Sequence, residues 1–360
     1  MADSEGVAQA RDKFHCPACG AESNWNPAKQ ALICPFCGTQ SPATLQTLGA
    51  KTVIVEHDLV AALRNIPDEA RGWKTEKTSV RCQSCQAISV FDPEKIGRNC
   101  DFCGSAALVP YTEVKDAFSP ESLLPLKISE SQARDRIRAW YRSLWLAPSA
   151  IRTRALTDTA KGIYLPYWTF DANTHANWTA ESGHYYTVTV NNKPVVKVRW
   201  TPAAGELSHY FDDELVPAST GVHAQWLRHI EPFPTGGLIP YDPGYLAGWT
   251  VERYQIDLLG AAETSRRQME EELRQLCGKQ VPGDTYRNLK VDATFTDQRF
   301  KHILVPVWLL TYNFGTRSYQ VVVNGVTGDI AGGRPWSWVK ITLLVLAAIL
   351  FVIILKLANE

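Results

Sequence analysis

The most one-sided run of hydrophobic positions lies at the end of the chain. Ile341 to Leu355 carries no charge, and twelve of its fifteen residues are Leu, Ile, Val or Phe. A helix of a soluble domain keeps a polar face, and this run has none. At ~1.5 Å per residue it falls slightly short of a bilayer, which needs about 20 residues. Trp336 and Trp338 on one flank, with Lys340 and Lys356 at the two ends, extend it. Indoles settle at membrane interfaces and lysines snorkel outward, so the pattern predicts a single transmembrane helix over 336–357.

Upstream, the periodicity is that of an α+β protein. Ser129 followed by Gln132 forms a capping box. Ala133, Ile137, Trp140, Tyr141, Leu144 and Trp145 then recur at three- and four-residue steps, which predicts an amphipathic helix stopped by Pro148. A second helix is expected over Ala261 to Cys277, with Met269, Leu273 and Leu276 on one face and Gly278 as its C-cap. A short one is expected from Glu56 to Asn65, ended by Pro67. Alternation predicts strands over Tyr185–Val190, Val195–Trp200, Ile303–Tyr312 and Tyr319–Val323, with hairpin turns at Asn191-Asn192 and Asn324-Gly325. Ile163–Trp168 and Ile303–Trp308 share a Pro-x-Trp pattern, and a Tyr-rich strand and an Asn-based turn follow each. Proline favours edges and bulges, so two related halves are expected, each bringing one such edge strand.

The cysteines divide the first third of the chain. Cys16, Cys19, Cys34 and Cys37 form one CxxC…CxxC set, and Cys82, Cys85, Cys100 and Cys103 repeat its spacing. This is the signature of a zinc ribbon, in which four thiolates close a tetrahedral Zn²⁺ site and leave no open position for a substrate. Gly20, Gly38 and Gly104 follow three of the four knuckles, where the turn needs a left-handed residue. Gln86 follows the fourth, which predicts a less regular knuckle there. A disulfide framework suits secreted domains, and the polar N-terminus carries no apolar signal segment. Cys277 has no CxxC partner and is expected to be a buried or idle thiol. The organisation expected is a disordered tail at 1–12, ribbon 1 at 13–41, a helical connector at 42–79 and ribbon 2 at 80–112. A linker around 113–122, an α+β domain at 123–335 and the span follow.

Charge narrows the function. Lys and Arg number 37 against 37 Asp and Glu, so no general attraction to nucleic acid exists. Residues 14–40 carry only Glu22 and Lys29, which gives ribbon 1 little counterion-release driving force. Trp25 and Phe36 are expected in its core rather than as base-stacking platforms. Arg134, Arg138 and Arg142 step by four along the first helix, a stripe that suits anionic lipid headgroups. No GxxxxGK[ST] loop, HExxH or GxSxG motif occurs. His209 lies beside Asp212, Asp213 and Glu214, which reads as a solvated acidic loop. No catalytic residue or organic cofactor is expected; the cofactor expected is zinc at two structural sites.

The CPxCG-type ribbons, the helix ending in Trp145-Leu-Ala-Pro148, the two Pro-x-Trp strands, Val323-Asn-Gly-Val-Thr-Gly328 and one terminal span carry a resemblance. Over nearly its whole length the chain resembles bacterial membrane-tethered, TFIIB-type zinc-ribbon proteins, which are often labelled relatives of the primosomal protein N′ (replication factor Y) helicase. The missing phosphate loop excludes ATP-driven unwinding. The resemblance implies partners of the phage-shock, ESCRT-III-like or flotillin-like SPFH classes, and a role in organising or protecting the inner membrane. The function expected is thus a non-catalytic, tail-anchored adaptor, cytoplasmic in bulk, presenting two ribbons to cytosolic proteins. A membrane-tethered nucleic-acid-binding protein and an enzyme with an unrecognised site are the alternatives.

Overall fold

The computed structural model describes residues 15–41, 53–64, 78–91, 99–111, 118–149, 151, 160–191, 193–315 and 317–358. The 1–12 tail, most of the connector, Asn65, Pro67 and Asn192 lie outside the described residues. The fold is mixed α+β and rich in strand. Ribbon 1 forms its own antiparallel sheet from β1 (Asn24–Asn26), β2 (Ala31–Ile33) and β3 (Gln40–Ser41). A twelve-stranded sheet takes the remainder. Its short members are β4 (His57–Asp58), β5 (Thr78–Cys82), β6 (Ile88–Phe91), β7 (Leu108–Pro110) and β8 (Ser122–Leu123). The hairpin β9 (Lys161–Val190) and β10 (Lys193–Pro217) is followed by β11 (Ile239–Pro240) and β12 (Thr250–Glu252). The sheet is completed by β13 (Thr285–Phe314), β14 (Arg317–Asn324) and β15 (Ile330–Gly332). The helices are α1 (Leu59–Arg64), α2 (Glu130–Ser143), α3 (Ala224–Ile230), α4 (Leu258–Gln280) and α5 (Trp338–Ala358).

Three strands are exceptionally long. β9 and β13 each span 30 residues, about 100 Å at ~3.3 Å per residue. The four predicted strands are pieces of β9, β10, β13 and β14. Past register shifts at Phe211/Glu214 and Thr296/Arg299, strands β10, β9 and β13 leave the body as a three-stranded arm. Thr174, Ala176, Trp178 and Ala180 face inward there, while Asn173, His175, Asn177 and Thr179 face solvent, the two-residue period of a half-covered strand. The cover is α4, whose stripe of Ala261, Ser265, Met269, Leu273 and Cys277 is buried. Each large side chain so buried contributes about 1.5–3 kcal/mol. Helix α4 runs past Gly278 to Gln280, so Gly278 is not a C-cap. It is a packing glycine, since a Cβ there would stand 2.4 Å from the Tyr286 hydroxyl. Cys277 is buried as expected.

The body repeats one plan. A short strand, a helix and a long hairpin occur as β8, α2, β9–β10 and again as β12, α4, β13–β14. The short strands are exchanged: β8 lies parallel to β13 and β12 parallel to β9. Trp168 Nε1 donates to the Ile256 carbonyl (3.0 Å) and Trp308 Nε1 to the Ile128 carbonyl (2.8 Å). Each acceptor immediately precedes a helix N-cap, Asp257 or Ser129. The Pro-x-Trp segments are not edge strands. They are antiparallel neighbours at the sheet centre, with Tyr164 opposite Pro306 and Pro166 opposite Leu304. Each proline sits where its strand's outer neighbour changes, β12 giving way to β10 and β8 to β14, so the missing N–H breaks no ladder. Their carbonyls accept from Ala218 N (3.0 Å) and Gly325 N (2.9 Å).

The expected start of α2 holds, and local expectations fail at three places. The Ser129–Gln132 capping box forms with both bonds, but α2 ends at Ser143, before Pro148. Trp145 is 61% exposed rather than on the buried face. The 118–122 part of the expected linker is core instead: Phe118, Glu121 and Ser122 are buried and Ser122 begins β8. The predicted helix from Glu56 begins only at Leu59, because His57 and Asp58 pair with β13 first.

Helix α5 is 21 residues long, about 31 Å, and is long and apolar enough to cross a membrane. Every residue from Thr342 to Lys356 is exposed. Its first turn is tied to the body: Ser337 N–H donates to the Leu146 carbonyl (2.8 Å), and Lys340 Nζ to those of Trp145 (3.0 Å) and Ala147 (2.7 Å). Exposed Trp145, Trp336 and Trp338 are carried by these tied segments.

Candidate metal centres

The two cysteine sets converge within each ribbon, in sequence order. The four Sγ atoms of Cys16, Cys19, Cys34 and Cys37 lie within 4.8 Å of one another, as do those of Cys82, Cys85, Cys100 and Cys103. Cross-knuckle contacts are 3.4 Å for Cys16–Cys37, 3.5 Å for Cys19–Cys34, 3.5 Å for Cys82–Cys103 and 3.6 Å for Cys85–Cys100. A disulfide would need about 2.05 Å. A tetrahedron with ~2.3 Å metal–sulfur bonds has edges near 3.8 Å. Two four-thiolate clusters able to hold metal ions are therefore present.

One backbone device builds all four knuckles. The residue after the second cysteine donates its N–H to the first cysteine's carbonyl, at Gly20 (2.8 Å), Gly38 (3.0 Å), Gln86 (2.9 Å) and Gly104 (2.9 Å). Each has positive φ: 73°, 73°, 64° and 74°. The knuckle at Gln86 is thus as regular as the others, contrary to expectation. The cost is left-handed strain on a side chain, offset by its amide donating to the Gln83 carbonyl at 2.8 Å. Gln86→Gly is expected to stabilise ribbon 2 by about 1 kcal/mol, the left-handed penalty it relieves. A raised denaturant midpoint checks this; a lowered one means that the amide bond outweighs the strain.

Each cluster holds at least one thiol whose pKa is lowered by its neighbours. The Thr39 hydroxyl, 3.1 Å from Cys37 Sγ, holds Cys37 down to about 6. The neighbouring Cys85 thiol holds Cys100 down to about 5. Thiolates are the metal-binding form, so each ribbon has a first ligand at neutral pH.

The ribbons sit differently. In ribbon 1, Cys19 and Cys37 are exposed and Phe36 is 80% exposed, not in the core. Trp25 does lie in the core, against Tyr245 with ring centroids 4.4 Å apart. Ribbon 2 is built into the body: β6 pairs with β12, and Cys82, Cys100 and Phe102 share one cluster with Ile163, Leu165, Tyr167 and Ile303. Behind it, burial pushes the Glu252 carboxyl up to about 8, against donors from Ser219 and Gln255.

The other sequence candidates separate. Arg134 pairs with Glu130, and Arg138 with Asp135 at 3.2 Å, while Arg142 is exposed with no acidic partner among the described residues. The His209 segment is not a solvated loop. Asp213, in a left-handed bulge at φ 54°, meets buried Lys301 at 2.6 Å and donates its N–H to buried Asp171 at 2.6 Å. His209 instead sets its ring edge-on to Phe211. Lys301, which also holds Glu56 at 2.9 Å, is one of the buried charges that sequence reading missed; it stands in Arg299-Phe300-Lys301-His302, a largely polar run that gives no sign of burial.

No family model and no solved structure matches the chain. It is similar to the uncharacterized protein YdjG of Bacillus subtilis (strain 168), with 22% identity over 329 residues that make up 91% of each chain.

Proposed function

We propose that the protein is a non-catalytic adaptor anchored in the bacterial inner membrane by α5, its bulk cytoplasmic and its two clusters filled by Zn²⁺. The observation that carries this reading is α5, a 21-residue apolar helix exposed from Thr342 to Lys356 with no covering partner among the described residues, a surface that water does not tolerate. Closed four-thiolate sites hold structural metal and leave no coordination position for chemistry. Ribbon 1 is the module presented to a partner, through Phe36 and the knuckles around Cys19 and Cys37. Of the arginine stripe, exposed Arg142, three residues before exposed Trp145, is the member assigned to the headgroups in this reading.

Three measurements test this. Purified protein should contain two zinc per chain. Full-length protein should stay in carbonate-washed membranes, while the 1–337 truncation should move to the soluble fraction. A photo-crosslinker at position 36, in cells, should capture a cytosolic protein that a crosslinker at exposed Asn177 on the arm does not. Full-length protein in the wash, or equal adducts at both positions, contradicts the adaptor. Nucleic-acid tethering is disfavoured by what is described of ribbon 2: Arg81 lies over the Tyr111 ring at 4.4 Å and Asp101 is paired with Lys161.

A further inference from the structure

Beside the first turn of α5 lies a groove of about 770 Å³, walled by Trp140 and Trp226 and rimmed by His223, His229, Arg334 and Trp336. Its volume is that of a small-molecule site. No carboxylate lines it among the described residues. The Arg334 guanidinium sits over the Trp336 ring, 4.7 Å from the centroid, and has no acidic partner among the described residues. Trp226 is flanked by the rings of His223 and His229, with centroids 6.0 and 6.4 Å away.

The walls are held in place from behind. Gly333 N–H donates to the Gln320 carbonyl (2.8 Å), and the Gly333 carbonyl accepts from the Tyr312 hydroxyl (3.1 Å). These bonds fix the segment that carries Arg334. Trp140 stands on α2, whose continuation at Trp145–Ala147 is bonded to Ser337 and Lys340 at the start of α5. Groove and membrane helix therefore form one unit, with Arg334 four residues before α5 begins.

An unpaired guanidinium forks onto two phosphate oxygens. Indole faces take up glycerol and the first acyl carbons beside it. Three indoles also suit a choline cation, but a choline site needs negative charge and this groove supplies a positive one. We propose that the groove binds one anionic phospholipid of the phosphatidylglycerol type, its phosphate on Arg334 and its upper acyl carbons against Trp226 and Trp140. The proposal rests on the membrane anchoring above, which places the groove at headgroup level.

Full-length protein in dodecylmaltoside micelles, titrated with dioctanoylphosphatidylglycerol, should show saturable binding. Arg334→Gln should weaken it at least tenfold with an unchanged unfolding midpoint, and Trp226→Phe, which keeps an aromatic against the core, should weaken it less than Arg334→Gln. Dioctanoylphosphatidylcholine should bind at least tenfold more weakly, and inorganic phosphate should not compete at millimolar concentration. Any of three results overturns the proposal: no saturation with the phosphatidylglycerol, equal affinity for the phosphatidylcholine, or unaltered binding by Arg334→Gln, a half-exposed position where folding is not at stake. Displacement by inorganic phosphate alone overturns the lipid assignment. The groove is present in detergent whether or not α5 is a membrane anchor in cells, so failure here is separable from failure of the fractionation test.

Discussion

Cys100→Ser is expected to unfold the body of the protein, whereas Cys34→Ser removes only its outer ribbon. Both delete one of four ligands, and both should lower zinc from two to one per chain. Structural zinc contributes on the order of 10 kcal/mol to such a module, against a whole-domain stability of about 5–15 kcal/mol. What separates the variants is where each ribbon is attached. Phe102, between the two cysteines of its knuckle, is fully buried, and its carbonyl accepts from Thr311 Oγ1 (2.7 Å) and Gln320 Nε2 (2.6 Å). A Cβ at Gly221 would stand 2.6 Å from the Phe102 ring, so that surface has no slack. Arg253 N–H donates to the Ile88 carbonyl (3.0 Å), carrying the ladder from ribbon 2 into β12 and on to β9. Ribbon 1 touches the body through the Trp25–Tyr245 contact and single bonds, Trp25 N to the Ala247 carbonyl (3.1 Å) and Gln30 Nε2 to the Leu126 carbonyl (3.0 Å). Metal content together with near-ultraviolet circular dichroism of the detergent-solubilised chain decides. Equal loss of the aromatic signal in both variants, or in neither, contradicts the asymmetry.

That asymmetry is invisible in the cysteine spacing, which is identical for the two ribbons. Spacing encodes the local knuckle, and the knuckles match down to their hydrogen bonds. What embeds one of them is pairing between residues far apart in sequence, Val90 with Val251 and Ser89 with Glu252, and periodicity carries no information about partners. The helices were legible because their signals are local: the Ser129 box, and the Met269–Leu273 face of α4. The long strands were legible only in fragments. On the arm the buried side is largely Thr and Ala, as in Thr174, Ala176 and Ala180, because α4 packs close against it. An alternation of Ala with Asn or Thr is weak in hydrophobicity, though its period is that of a strand. Pro166 and Pro306 misled for a related reason. Proline excludes a ladder donor, and that condition is met at an edge, but also in a central strand where one neighbour ends and the next begins. The groove beside α5 joins residues of α2, α3 and β15, which no single window of sequence brings together.

Lys301→Met is expected to cost about 3–5 kcal/mol although it keeps the volume of the side chain, since it leaves buried carboxylates without their counter-charge. Lys301 lies at the elbow where the arm leaves the body, beside both register shifts, and is buried with Asp171 while Asp213 is half-buried. Despite burial, its two partners hold the ammonium charged, and its pKa is raised above 10.5. Burial pushes Asp171 up to about 6, with the Asp213 N–H and then Lys301 pulling the other way. A carboxyl raised above its ordinary 3.8 contributes stability that is complete below that value and is lost as pH rises through 6. Without Lys301 the carboxylates face one another uncompensated, so the penalty of Lys301→Met should grow between pH 5 and pH 8. Adding Asp213→Asn should recover a large part of the loss, with a coupling of at least ~1 kcal/mol in the double-mutant cycle. Chemical denaturation of the four variants at both pH values measures these quantities. Strictly additive losses, or a penalty independent of pH, would show that Lys301 acts through packing alone. The arm would then be held at its base by the α4 contacts rather than by charge.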